Sequence, residues 1–335
     1  MSLQIIFTEA VHHHYVSPPF VLYTLIEEAG RQLYRVEREN AASWLLRAYA
    51  YPNSNARQAQ HVAVLKLLKR HDYPAPRLIR SRHGETISEC KTEDAHWYFV
   101  ITTFIEGEVL EGIGSTTLAL MGEALGQFHR FSISLPTEET QSLAGALWRP
   151  MEMVPLATQE LRAIHSEVPA SEQPDYTMIQ RAVALLPPFR HLPAALNHGD
   201  CVPTNAIMTR NQQIILIDWA DAGWGELVLD LAWLLVIAMG GLPDERAPSN
   251  TVQIDPARLI AIVDGYCRYR VPTATECDAL LDAMRFVPAF SCALEFCAAC
   301  RHESSPLIWQ GWWQRYQAVP LAAALAKERI TSYRG

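Results

Sequence analysis

Positive charge is in short supply in this sequence. In 335 residues, 28 Lys and Arg stand against 36 Asp and Glu, a formal net charge of −8 with histidine neutral. That balance argues against a general nucleic-acid-binding surface and favours neutral or cationic ligands. Long apolar runs are also missing. The longest, residues 231–242, follows Asp230, contains Gly240 and Gly241, and is too short to span a bilayer. No basic segment precedes Ile5-Ile6-Phe7, and Glu9 interrupts that run, so no secretory signal is expected. The seven cysteines are an odd number without framework spacing. They read as reduced thiols of a cytoplasmic protein that meets neither membrane nor nucleic acid. Internal repeats and low-complexity segments are absent. With 49% hydrophobic and 19% charged residues the chain is an ordinary globular one, and its length exceeds what one core organises, which predicts two lobes.

The pattern along the chain sorts into sheet followed by helix. Residues 20–28, 32–38 and 43–49 are rich in β-branched, aromatic and Leu residues. The short breaks Ala29-Gly30-Arg31 and Glu39-Asn40 separate them, as in consecutive antiparallel hairpins. A helix from about Ser54, with Ala59, Val62, Leu65 and Leu68 on one face, should end before Pro74-Ala75-Pro76. Two further strands are predicted at 77–81 and 97–104, and the pattern breaks at Ile105-Glu106-Gly107-Glu108. From Thr116 onward the period is helical, through Leu118, Met121, Leu125 and Phe128. The boundary is placed near Gly107, giving an N-terminal lobe of residues 1–107 and a larger C-terminal lobe of residues 108–335. The second lobe should be mostly helical apart from a hairpin of 206–209 with 213–219. Asp255-Pro256 starts one of its helices, and Thr275 with Asp278 resembles a capping box for the next.

Chemistry concentrates in Leu196-Asn-His-Gly-Asp-Cys-Val-Pro-Thr-Asn205 and in Ile214-Ile-Leu-Ile-Asp-Trp219. An acid and an amide lie five residues apart on a loop, and a second acid ends a strongly apolar strand. An unpaired carboxylate at a core edge is costly. A cation would offset that cost, and Asp and Asn oxygens suit a hard one such as Mg²⁺.

These residues resemble the aminoglycoside phosphotransferase family, small-molecule kinases of the protein-kinase-like superfamily. His198-Gly199-Asp200 with Asn205 is similar to the family's catalytic loop, and Ile217-Asp218-Trp219 to its metal-binding segment. Gly223-Trp224-Gly225 and Asp230-Leu231-Ala232 continue the match in order. Weaker matches cover 33–38, Trp44-Leu-Leu-Arg47, Pro74-Ala-Pro76 and Phe104-Ile-Glu-Gly107. The resemblance implies an α+β, bilobal, protein-kinase-like fold. Its N-terminal lobe is an antiparallel sheet with one main helix that binds nucleotide, and its helical C-terminal lobe binds the acceptor.

The implied activity is transfer of the γ-phosphoryl group of ATP or GTP to a hydroxyl of a small molecule. Asp200 would be the catalytic base, and Asn205 and Asp218 would hold Mg²⁺. Arg47 would stand where kinases carry a phosphate-binding Lys, and Phe104, Ile105 and Glu106 would form the hinge that receives the purine. His198 and Asp230 would brace the catalytic loop. The enzyme would act as a monomer or homodimer on an acceptor the motifs leave open: aminoglycosides, homoserine, choline-like alcohols and sugar derivatives all use this scaffold. Only residues 219–229 separate Asp218 from Asp230, which leaves no room for an activation segment and argues against protein substrates.

Departures from the family pattern motivate a degenerate, non-catalytic nucleotide- or ligand-binding protein as the alternative. Val202 stands where many members have His, Gln60 or His61 falls where a helix Glu pairs with the cation, and 27–32 is a poor glycine-rich loop. A metal-dependent hydrolase using His198, Asp200, Asp218 and Asp221 is a third possibility. Cys292, Cys297, Cys300 and His302 read as buried thiols on a helix rather than a zinc site, and His12-His13-His14 as an exposed loop. Trp309, Trp312, Trp313 and Tyr316 have the spacing of a packed helix and lie where the family's acceptor site is built.

Overall fold

The computed structural model describes residues 2–28, 30–50, 55–91, 96–143, 149–189, 191–243 and 252–334. In chain order its elements are α1 (Leu3–His14), β1 (Phe20–Glu28), β2 (Arg31–Arg38), β3 (Ala41–Ala50) and α2 (Asn55–Arg70). Next come β4 (Ser88–Lys91), β5 (His96–Thr103), β6 (Glu108–Val109), α3 (Ser115–Ser134), α4 (Thr137–Gln141), α5 (Pro150–Ile164) and α6 (Gln173–Ala184). The remainder comprises β7 (Ala194–Asn197), β8 (Ala206–Met208), β9 (Ile214–Leu216), β10 (Gly223–Glu226), α7 (Leu227–Ile237), α8 (Pro256–Cys267), α9 (Ala274–Cys300) and α10 (Pro306–Ser332). They fall into two compact units. The first holds Met1–Glu108, Ser142–Ala144 and Ile207–Ala222; the second holds Val109–Gln141, Gly145–Ala206 and Gly223–Gly335.

The first unit is built on an antiparallel sheet in the order β1-β2-β3-β5-β4. Alternation makes its core: Tyr34 and Val36 of β2, Leu46 and Ala48 of β3, and Phe99 and Ile101 of β5 are all buried. Phe7 and Val11 of α1 close that cluster, with Phe7 packed edge-on against Trp97 and Phe99. The sequence reading missed this helix. Phe7, Ala10 and Val11 form a buried stripe at helical spacing, and the three histidines occupy its last turn rather than a loop. His14 is tied to the carbonyl of Glu89 at 3.1 Å. The strand predicted at 77–81 is a single bridge, Leu78 to Thr102, and the edge strand is β4 instead. Leu65 and Leu68 of α2 are buried as predicted, whereas Ser54 lies outside the described residues.

The second unit is predominantly helical. Its central helix, α9, is long and apolar enough by length and composition to cross a membrane. It packs against α5, α6, α7 and α10 and buries Leu280, Met284, Phe286, Phe290 and Phe296, as the core helix of a globular unit does. Its N-cap is not the predicted Thr275. Thr273 caps it, accepting from the Glu276 amide while the Glu276 carboxylate accepts from the Thr273 amide at 2.8 Å. Pro272 ends the preceding segment there, and Asp278 instead faces Lys327 at 2.9 Å. Asp255 caps α8 as predicted, accepting from Ala257 N–H at 2.9 Å with Pro256 in the first turn.

Candidate active site

The second unit supplies the loop after β7. Apolar Ala195 and Leu196 bury that strand, and it pairs with β10 antiparallel, so the chain emerges at His198 in a fixed register. Gly199 turns the backbone at φ +84°, a conformation that side chains disfavour. Asp230, in the first turn of α7, clamps this turn from beneath. One carboxylate oxygen accepts from His198 N–H at 2.7 Å and the other from Gly199 N–H at 2.9 Å. Burial alone would raise the Asp230 carboxyl, yet hydrogen bonding from His129 and the contacts with His198 hold it below its ordinary value. Asp230 is 3% exposed and His198 fully buried, so both brace the loop, with the His198 ring accepting from Asp200 N–H at 3.4 Å.

Asp200 itself is partly exposed and held at both oxygens. Asn205, at the end of the short 3-10 turn Pro203–Asn205, spends its amide hydrogens on the Asp200 carbonyl at 2.9 Å and on Asp200 Oδ2 at 2.8 Å. Trp233 donates its indole N–H to Asp200 Oδ1 at 3.2 Å. Sequence reasoning missed Trp233, although it follows Asp230 by three residues on the same helix and shares its face. It also missed His129, buried on α3, whose Nε2 lies 3.2 Å from Asp230 Oδ2. Cys201, directly after Asp200, is fully buried, and burial next to Asp230 and Asp200 pushes its thiol well up, so it stays protonated.

The first unit carries the second acid. Asp218 ends the hairpin of β8 and β9 with φ +60° and ψ +62°, and Trp219 behind it is fully buried, donating to the Leu216 carbonyl at 3.0 Å. The left-handed turn lets the apolar tryptophan go inward while the mostly buried carboxylate turns to Arg47. Asp218 forms an ion pair with Arg47 of β3. Burial would raise the Asp218 carboxyl, but Arg47, with His61 and Arg31 further away, holds it well below the usual carboxylate range. This arrangement answers the missing helix acid. Gln60 of α2 points to the Ala222 carbonyl at 3.0 Å, and Arg47 takes its counter-charge from Asp218. At the predicted hinge, Phe104 spends its N–H on the Ser43 carbonyl at 3.1 Å and stacks beneath Arg35, which also reaches Glu106 at 3.1 Å. The poor phosphate loop cannot be placed in full, because Ala29 and the side chains of Glu27 and Glu28 lie outside the described residues.

Each unit, taken by itself, carries an oxygen donor of the kind a hard divalent cation takes. In the second unit Asn205 has turned its amide hydrogens onto Asp200, so its carbonyl oxygen is the atom it would offer a cation; in the first, Asp218 has a carboxylate that Arg47 keeps ionised against the effect of burial. Among the described residues, no group of three or more His, Cys, Asp or Glu side chains is placed to hold a metal ion. Cys292 and Cys297 are buried in α9, and several acids of the C-terminal helices have partners within the fold. Asp264 is paired with Arg329, and Glu295 accepts from the Ser304 hydroxyl at 2.7 Å. Trp309 and Trp312 are buried, and Trp312 stacks on Trp233 with ring centres 6.0 Å apart.

Comparisons with known proteins bear on the family and the fold. The family described as "Phosphotransferase enzyme family" matches residues 24–273. A homoserine kinase of Beijerinckia indica subsp. indica is 26% identical over 219 residues, which is 65% of this chain and 62% of that protein. The chain thus spans under two thirds of that relative's length. Among solved structures, an amicoumacin kinase in complex with AMP-PNP, Ca²⁺ and Ami superposes with a TM-score of 0.65 at 13% identity, covering 99% of this chain and 94% of the other. A spectinomycin phosphotransferase in complex with ADP and spectinomycin gives 0.65 at 15% identity over 98% and 99%. These likenesses show the kinase-like fold. With three-quarters of its length matched by that family's model, the chain belongs to the phosphotransferase enzyme family.

Proposed function

We propose that this protein transfers the γ-phosphoryl group of ATP or GTP to a hydroxyl of a small molecule, an amino sugar, amino alcohol or similar compound. The observation that carries the reading is the Asp200 carboxylate. It is partly exposed, fixed at Oδ2 by Asn205 and at Oδ1 by Trp233, on a loop clamped by Asp230. A carboxylate so fixed is oriented before substrate arrives, which is what transfer through a loose transition state asks of a protein. Asp200 accepts the hydroxyl proton as the acceptor oxygen bonds to the γ-phosphorus, and the bond to the β-phosphate oxygen breaks to release the nucleoside diphosphate. Arg47 neutralises phosphate charge. The backbone of Ile105 and Glu106, flanked by Phe104, receives the purine. Asn205 and Asp218 would hold Mg²⁺, which when bound shields the negative charge of the phosphates. His198 and Asp230 brace the loop and do not react.

One observation favours the second reading, a nucleotide- or ligand-binding protein without turnover. Arg47 and Asp218 are bound to each other, so each of these two groups must exchange a protein partner for phosphate or metal. Mg²⁺-dependent ATP and GTP consumption, measured over a panel that includes homoserine, amicoumacin, spectinomycin and simple amino alcohols, separates the two. Turnover with one acceptor supports the kinase. Tight Mg²⁺-dependent nucleotide binding with no turnover on any acceptor supports the binding protein. Absence of nucleotide binding overturns both.

A further inference from the structure

A chain of buried polar groups runs away from the catalytic loop into helices that carry none of the motif residues. His129 Nε2 faces Asp230 Oδ2 at 3.2 Å, and His129 Nδ1 faces the Tyr266 hydroxyl at 2.8 Å. Arg270 Nη1 reaches the same hydroxyl at 2.7 Å, while its Nη2 grips both oxygens of Glu276 at 2.6 and 2.7 Å. His129, Tyr266 and Glu276 are all fully buried. The contact exists because α3 and α8 cross without intervening side chains. A Cβ on Gly126 would lie 2.5 Å from the Tyr266 carbonyl oxygen, and one on Gly265 would lie 2.3 Å from the Ala119 carbonyl oxygen.

The direction of each bond in this chain is forced. A guanidinium carries only donors, so the Tyr266 oxygen accepts from Arg270. A phenol has one proton, and among the described residues the remaining polar neighbour of that hydroxyl is His129 Nδ1. Tyr266 therefore donates to Nδ1, which must be unprotonated. A neutral imidazole then carries its proton on Nε2, where it donates to Asp230. The opposite tautomer would leave the phenol proton without an acceptor and set two lone pairs against each other at Asp230. A doubly protonated ring would leave the phenol proton without an acceptor in a dry site.

We infer that Arg270 and Tyr266 are positioning residues: they fix His129 as the Nε2–H tautomer, so that Asp230 receives a third donor and holds the backbone of His198 and Gly199 in the register that aims Asp200. Glu276, through the cap of α9, anchors Arg270. The effect on catalysis rests on the reading of Asp200 as the base; the tautomer does not.

The test uses the full chain labelled with ¹⁵N-histidine, with the His129 resonances identified by their loss in His129→Gln. Wild type should show a neutral Nε2–H ring across the neutral pH range. In Tyr266→Phe, which removes one oxygen and keeps the ring, the His129 signals should shift to a tautomer mixture or a cation. The same variant should lose kcat by roughly tenfold, the scale of a slight misplacement of a reacting group, with KM for nucleotide changed less than about twofold. A wild-type ring protonated at Nδ1 overturns the proposal whatever Tyr266→Phe does. So does a Tyr266→Phe protein that keeps both the wild-type tautomer and the wild-type kcat. Absence of turnover in wild type, with the Nε2–H tautomer present, would refute the kinase reading and leave the tautomer assignment standing.

Discussion

Arg47 and Asp218 compensate each other across a buried contact, and that pairing has consequences that reach beyond catalysis. Folding lowers the Asp218 pKa below its unfolded value, so the deprotonated form is the one folding favours. The stabilisation from the pair is therefore complete above about pH 5 and is lost as the pH falls towards the depressed value. Arg47→Met strands a mostly buried carboxylate and should cost about 3 kcal/mol near pH 7, read from urea unfolding. The difference from wild type should shrink steadily below pH 4; a difference independent of pH would contradict the pairing. Residue by residue, the sequence showed the acids and the amide, because an Asp at the end of an apolar strand and an Asn five residues after a loop Asp stand out against packing. It did not show who holds them. Trp233 looks like any core tryptophan, and His129 like any histidine on a helical face, until the fold brings their nitrogens to Asp200 and Asp230. Trp233→Phe should lower kcat with KM for nucleotide unchanged, because it removes a donor that aims the Asp200 carboxylate; unchanged kcat would assign Trp233 to packing alone.

Elements were legible where one face dominated. The hairpins of β1, β2 and β3 and the helix α2 announce themselves by alternation and by helical spacing, with turn residues between them. Short or locally ambiguous elements were not. β4 is four residues, Ser-Glu-Cys-Lys, with no apolar alternation, and it forms because β5 leaves an edge open for pairing. The start of α9 was displaced by two residues because Thr273 and Thr275 each have an acid three positions later, and the choice depends on Glu276 being gripped by Arg270. Thr273→Ala should cost about 1 kcal/mol in unfolding free energy. Gly265→Ala should cost more, about 1–3 kcal/mol, because the added methyl meets the Ala119 carbonyl rather than a movable side chain. If Gly265→Ala melts like wild type, the close crossing of α3 and α8 is wrong.

For the molecule as a whole, composition bounded the answer and the fold supplied the specifics. All seven cysteines are free; Cys201, Cys267, Cys277, Cys292 and Cys297 are buried, while Cys90 and Cys300 are partly exposed. Burial raises each thiol, Cys90 to about 11 and Cys267 and Cys297 to about 12, so none is a ready nucleophile at neutral pH. A thiol reagent should label the native protein slowly and at no more than Cys90 and Cys300, with the other five appearing only on unfolding; rapid labelling of Cys201 would contradict its burial beside Asp200. The net charge of −8 includes Asp200, Asp218 and Asp230, each held by partners within the fold, so it overstates the charge left free on the surface. The central claim is that Asp200 takes the acceptor proton while taking no part in holding nucleotide. It is tested most directly by Mg²⁺-dependent phosphoryl transfer from ATP to the best acceptor, alongside nucleotide binding, in wild type and Asp200→Asn. The account predicts a fall of at least about 100-fold in kcat with nucleotide affinity unchanged. Comparable transfer by the two proteins would contradict it.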